Sequence, residues 1–389
     1  MIMNTIYLDN SSTTPVLPEV VEAMVPFFSQ RFGNPSSLHA LGMEARKALD
    51  SCREVIASAI NAEEREIVFT SGGTESNNLA IFGYVNANRQ KGNHIITSQI
   101  EHSSVLQPFR ELEKRGLDVT RLKVNREGFV DLGELEKNIS KKTIFVSIQH
   151  ANHEVGTIQN IGEIGKICRE AGIIFHADAC QSFTKVPMDV KRHRIDLLTL
   201  NSHKIHGPKG IGALYIRDGI KLKNLFFGGG QENSLRSGTE NIPGIVGFAK
   251  AVEIGIRDFD KNIKYMEKLR DKMISKLIRN KARLNGPARH SRLCNNVNVS
   301  FPVIEGEALV AKLSNKGICI STGSACASRS VEPSSVLKAI GLSGKEITGS
   351  IRASLSRLNT EKEINIAIEK ILESVEELER LYKSSRIIS

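Results

Sequence analysis

The sequence predicts an α/β protein built on a doubly wound, mainly parallel sheet, with a smaller α+β domain attached. Three observations carry that expectation. Short apolar runs rich in β-branched residues recur through the first two-thirds of the chain, and amphipathic stretches separate them. Beyond about residue 255 this alternation stops and a different order of elements takes over.

The expected strands are Glu66–Ser71, His94–Ser98, Thr143–Ile148, Ile173–Ala177, Ile195–Leu200 and the glycine-containing Ile211–Ile216. Helical patterns cover Glu75–Lys91, Ser104–Arg115 and Ile164–Ala171. From Lys250 to Asn280 the residues Val252, Ile256, Phe259, Ile263, Met266, Met273 and Leu277 fall on one helical face, predicting a single long linking helix. A strand (Asn296–Phe301), a helix (Glu305–Lys316), a short strand (Ile318–Ile320) and another strand (Ser350–Leu355) follow. The last helix opens on a capping box, Thr360-Glu-Lys-Glu363, and runs to about Lys383. The expected division is a large domain over 16–255 and a small one from 1–15 plus 256–389, carrying a mobile cysteine loop at about 321–333.

With 389 residues, 40% hydrophobic and 25% charged, the chain can bury a large core. No apolar run approaches the ~18 residues a membrane helix needs, and the first ten residues lack a signal-peptide layout. Six scattered cysteines without a CxxC pair argue against a disulfide framework or a structural zinc site. A cytoplasmic enzyme without membrane contact is expected. The net charge is +10, but the basic residues are dispersed, tryptophan is absent and only 5% of residues are aromatic. Direct nucleic-acid binding is therefore not expected.

In an open parallel sheet, ligands sit beyond the carboxyl ends of the strands. There the sequence places Gly72-Gly73-Thr74, Glu101-His102, Gln149 through Glu154, Asp178 with Gln181, and Asn201-Ser202-His203-Lys204. Gly73 and Thr74 open a helix, whose free N–H groups suit a phosphate. Asp178 closes an apolar strand, and Lys204 follows the next one. An acid for a pyridinium nitrogen, an amine able to form an imine, and donors for a phosphate are what pyridoxal phosphate requires. The competing reading makes Asp178 a helix cap and Lys204 a surface residue. Cys326 stands among Gly, Ser and Ala outside any apolar period, which favours a chemical role, whereas Cys180 is read as filler. Arg352 lies in a late strand, where its fork suits a carboxylate.

Taken in order, Tyr7 through Pro15, Phe32-Gly-Asn-Pro35, Phe69 through Ser76, Glu101-His102, Ser202-His-Lys204, Arg236-Ser-Gly-Thr239, Gly323-Ser-Ala-Cys326 and Arg352 span nearly the whole chain. With them the chain resembles the cysteine desulfurases of the NifS/IscS type, fold-type I pyridoxal-phosphate enzymes. The resemblance implies that Lys204 holds the cofactor as an imine and removes the substrate α-proton. Asp178 would pair with the ring nitrogen, Gln181 would donate to the phenolic oxygen, and His102 would stack on the ring as an acid–base group. Gly73, Thr74, Ser202 and His203 would hold the phosphate. Thr239 would reach the phosphate of a neighbouring subunit, which implies a homodimer. Arg352, Asn34 and Asn152 would hold the carboxylate of L-cysteine, with Asn152 also counted at the cofactor.

The Cys326 thiolate would then take the substrate sulfur as a persulfide, leaving alanine, and pass it to an iron–sulfur scaffold protein or another acceptor. A transient role for Cys326 as a [2Fe–2S] ligand shared with the scaffold is also implied. A selenocysteine lyase or an aminotransferase of the same fold is the alternative. Two departures from the family pattern are His153, where asparagine is usual, and Cys180, where threonine or alanine is common.

Overall fold

A computed structural model of the chain describes residues 5–323 and 333–388, with side chains to Lys383, so Cys326 lies outside the described residues. Its centre is a seven-stranded sheet in the order Ile67–Thr70, Gly212–Ile216, Leu197–Asn201, Ile174–Asp178, Thr143–Ser147, His94–Ser98, Asp118–Leu122. Only Gly212–Ile216 runs against its neighbours, so the other strands all end at one edge.

Both faces are covered, because successive side chains point to opposite sides. Val68, Ile95, Phe145, Leu197 and Leu214 pack under the helices Gly73–Asn88 and Ser103–Lys114. Phe69, Ile96, Val146, Phe175 and Leu198 pack under Ala40–Ser58, Ile161–Glu170 and Ile242–Arg257. Two-sided burial is why these strands read as continuous apolar runs. The edge strand Asp118–Leu122 was not foreseen, because Asp118, Thr120 and Arg121 break its apolar pattern. Such charge suits a strand whose outer side has no partner.

The expected helix from Lys250 to Asn280 is two helices, Ile242–Arg257 and Phe259–Arg279, parted at Asp258, whose φ of −115° and ψ of 30° leave the helical region. The two halves serve different cores. Val252 packs with the sheet, whereas Leu269, Met273 and Leu277 belong to a second cluster, and Ile256 is exposed. That second cluster surrounds a four-stranded antiparallel sheet ordered Ser321–Thr322, Ser350–Ser354, Asn296–Ser300, Arg283–Leu284. The helices Phe259–Arg279, Gly306–Asn315 and Glu361–Ile388 flank it. The Thr360 capping box forms as expected, with Thr360 N–H donating to Glu363 and Glu363 N–H to Thr360 Oγ1.

The amino-terminal segment ties the two clusters together. Ile6–Tyr7 pairs in parallel with Ile318–Cys319, Ser11 N–H donates to Ser354 Oγ at 2.8 Å, and Thr14 N–H donates to the His203 carbonyl at 2.8 Å. No helix among the described residues is long and apolar enough to cross a membrane.

Candidate active site

At the common strand edge lies a cavity of about 370 Å³, within the usual range for small-molecule sites. Five strand ends contribute to it: Gly73 and Thr74, His102, Gln149 and His153, Asp178 with Cys180 and Gln181, and Asn201 with His203 and Lys204. Ser11 and Ser12 add a wall from the amino terminus, and Arg352 enters from the second sheet. Asp178 and Lys204, from adjacent parallel strands, thus face one space.

Among the described residues the Asp178 carboxylate has neutral hydrogen-bond partners and no cation at ion-pair distance. Its Oδ2 accepts from Asn77 Nδ2 at 2.8 Å and its Oδ1 from the Cys180 N–H at 2.9 Å. Burial alone would raise its pKa, but the hydrogen bonds from Asn77 and Cys180 outweigh it, and the net shift is downward. His102 caps the helix Ser103–Lys114, its Nδ1 accepting from the Ser104 N–H at 3.1 Å. Burial, then His153 and Lys204, push its pKa down to about 3, so the ring is neutral at physiological pH. Burial likewise pushes His203 down to about 4 and Glu101 up to about 8. Glu101 cross-ties two strand ends, accepting from Ser98 Oγ at 2.5 Å and the Gln149 N–H at 2.9 Å.

Arg352 is anchored from three sides. Its Nη1 donates to the His153 carbonyl at 3.0 Å, and its Nη2 donates to Asp9 Oδ1 and Ser12 Oγ, both at 2.9 Å. Its Nε is buried without a partner.

The sequence profile of the aminotransferase class-V family matches residues 6–366. The chain belongs to this family. A cysteine desulfurase IscS of Dictyoglomus turgidum is 48% identical over 96% of this chain and 95% of its own length. One from Methanosarcina thermophila is 50% identical over 97% and 93%. A solved NifS-like protein superposes with a TM-score of 0.91 at 38% identity, covering 96% of this chain and all of the other. Class-V aminotransferases of the cysteine desulfurase kind depend on pyridoxal phosphate.

The cavity fits that cofactor. Besides Arg352 Nε, the lining side chains Ser11, Gln181 and Asn201 each bury an oxygen that has no protein partner. Buried polar atoms are ordinarily satisfied, so three orphans around one cavity mark a polar ligand's place. Gly73 is required by close packing, since a Cβ there would lie 2.5 Å from Cys180 Sγ. Cys180 therefore shapes the cavity wall and is not mere filler. Burial raises its thiol pKa well above the usual range, so it stays protonated.

Of the residues expected at the site, Gly73, Thr74, His102, Asp178, Gln181, His203, Lys204 and Arg352 come together. Ser202 is buried between two lining residues, its Oγ unpartnered, but does not line the cavity itself. Asn152 is buried between the lining residues Ala151 and His153 but does not itself line the cavity. Its Nδ2 donates one hydrogen to the Ile100 carbonyl at 3.0 Å and its Oδ1 accepts the N–H groups of Glu154 and Val155, so it also builds a turn. Asn34 and Thr239 are exposed and away from this cavity in the single chain. They flank a larger hollow of about 1080 Å³, lined by Pro35, Arg53, Gln231 and Glu240, that contains neither Asp178 nor Lys204. No metal-ligand cluster occurs among the described residues. Asn77 and Ser104 were missed. Their only sequence signal is polarity at buried positions of helices that follow strand ends.

Proposed function

We propose that this protein is a cysteine desulfurase that takes sulfur from L-cysteine and releases L-alanine. The observation that carries the reading is the convergence of Asp178, Lys204, His102 and Arg352 on one cavity, in a chain about half identical to cysteine desulfurases over nearly its full length.

Pyridoxal phosphate, when bound, supplies an aldehyde that condenses with amines and a ring that draws electrons from the bonds at the substrate α-carbon. The residues around it divide the remaining work. Lys204 would anchor the cofactor through its amine and take the α-proton. Asp178, kept anionic by its hydrogen-bond donors, would hold a proton on the ring nitrogen. Gly73 and Thr74 offer first-turn N–H groups and a hydroxyl that would hold the phosphate, helped by His203 and Ser202, while Gln181 would meet the phenolic oxygen. Arg352 meets the substrate carboxylate. The Cys326 thiolate attacks the substrate sulfur; an S–S bond forms, the Cβ–S bond breaks, and Cβ takes up a proton. The persulfide then serves iron–sulfur cluster assembly.

A homodimer is part of this proposal. Leu38, Met43 and Phe227 are 95%, 64% and 86% exposed around the larger hollow and the segment before it, an apolar surface that a second copy would cover. Asn34 and Thr239 would then reach the neighbour's site.

The test is incubation with L-cysteine, measuring alanine and sulfide together and trapping the Cys326 persulfide by mass spectrometry. Equal alanine and transferable sulfur, abolished in Cys326→Ser, are expected. Alanine without persulfide, or full turnover in Cys326→Ser, would overturn the role of Cys326.

A further inference from the structure

Asn77, in the helix Gly73–Asn88, is fully buried and spends both amide hydrogens. One goes to Asp178 Oδ2 and the other to Ser104 Oγ, each at 2.8 Å. Ser104 Oγ lies 2.8 Å from His102 Nδ1, which also accepts the Ser104 N–H. Asn77 Oδ1 is buried with no partner.

Two fixed groups set every proton in this chain of contacts, the Asp178 carboxylate at one end and the Ser104 backbone N–H at the other. A carboxylate only accepts, so Asn77 must turn its NH₂ toward Asp178, even though this strands its own oxygen. The second hydrogen of that NH₂ makes Ser104 Oγ an acceptor. The Ser104 hydroxyl hydrogen is then left for His102 Nδ1. A ring nitrogen receiving two donors cannot carry a proton.

We infer that Asn77 and Ser104 are positioning residues that transmit the Asp178 charge to His102, holding its ring as the neutral tautomer with the proton on Nε2. His102 therefore offers the cavity a donor and not a lone pair, and proton removal is left to Lys204. The other groups facing the ring favour the same neutral state, except Asp178. The His153 ring lies edge-on at 5.3 Å, Lys204 opposes a second positive charge, and Glu101 next in sequence is pushed by burial toward its neutral form. This deepens the proposed function at the same site.

The test is ¹⁵N NMR of histidine-labelled protein without cofactor, with the His102 signals assigned from their loss in His102→Gln. Because it reads the imidazole directly, it stands apart from any failure to detect desulfurase turnover. The wild type should show the proton on Nε2 and a hydrogen-bonded Nδ1. Ser104→Ala and Asn77→Leu should each move the Nδ1 resonance toward that of an unbonded ring nitrogen. Each should also raise the ring's proton affinity about tenfold, the worth of one lost hydrogen bond. Ser104→Thr, which keeps a hydroxyl, should restore the wild-type signal. A proton on Nδ1 in the wild type, or an Nδ1 resonance unmoved in both variants, would overturn the inference.

Discussion

Two buried carboxylates stand at opposite ends of the same pair of strands and are treated in opposite ways. Asp196, just before Leu197–Asn201, meets Arg217 Nε at 2.6 Å, Arg169 Nη2 at 3.2 Å and the Phe175 N–H at 2.8 Å. Asp178, at the far end of the neighbouring strand, has among the described residues neutral donors, the amides of Asn77 and Cys180 and the Cys180 thiol. Where the fold needs only an anchor, it neutralises the charge with two guanidinium groups. At the ligand edge it solvates the charge with dipoles and leaves the cation to be brought in. A buried carboxylate kept charged by dipoles alone, at the edge of a cavity, is thus a mark of function.

The contrast can be broken most sharply at the ligand edge. Lys204→Ala should abolish both the yellow colour of the purified protein and alanine formation; a coloured, active variant would remove Lys204 from its role. Asp178→Asn should lower kcat/KM by about 10³-fold or more while costing less stability than the change at 196. Asp196→Asn should do the reverse. Breaking a buried pair that serves two arginines should cost about 3–5 kcal/mol in denaturant unfolding, with little change in the turnover of whatever remains folded.

The same contrast has a pH signature. Burial pulls His150 down to about 3 and His176 to about 4, alongside His102, His203 and His206. Unfolding frees these rings to take protons near their ordinary pKa of about 6.5. Their contribution is therefore present above about pH 6.5 and is lost as pH falls toward the folded values. Asp178, also shifted down, adds a loss of the same sign only below about pH 3.9. Unfolding free energy should fall between pH 6.5 and 4, each histidine contributing up to about 1.4 kcal/mol per pH unit, and His176→Gln should flatten that slope. The smallest expected effect is Arg169→Ala. That side chain is 46% exposed and Arg217 still holds Asp196, so it should cost below about 1 kcal/mol.

The strand ends were legible because burial on both faces leaves apolar runs that stop abruptly at polar residues. Asp178 and Lys204 could be read as partners for that reason. Asp118–Leu122 escaped because an edge strand needs no such run, and the break at Asp258 escaped because the apolar stripe continues while the core it serves changes. Asn152 entered through the family resemblance alone; its bonds to Ile100, Glu154 and Val155, which build a turn, have no signal in the sequence. Asn77 and Ser104 illustrate the opposite limit. A relay across three chain segments has no local pattern, since its members are joined by the sheet and not by spacing.

The amino-terminal stitch has a consequence for synthesis. Asn10 and Ser11 bond to Ser354, and Asp9 to Arg352, across more than 340 intervening positions. Residues 9–11 must wait until residues 352–354 have been synthesised before their half of the cavity wall can close. A nascent chain can build the seven-stranded sheet beforehand, yet no amino-terminal fragment ending short of that strand would hold its substrate.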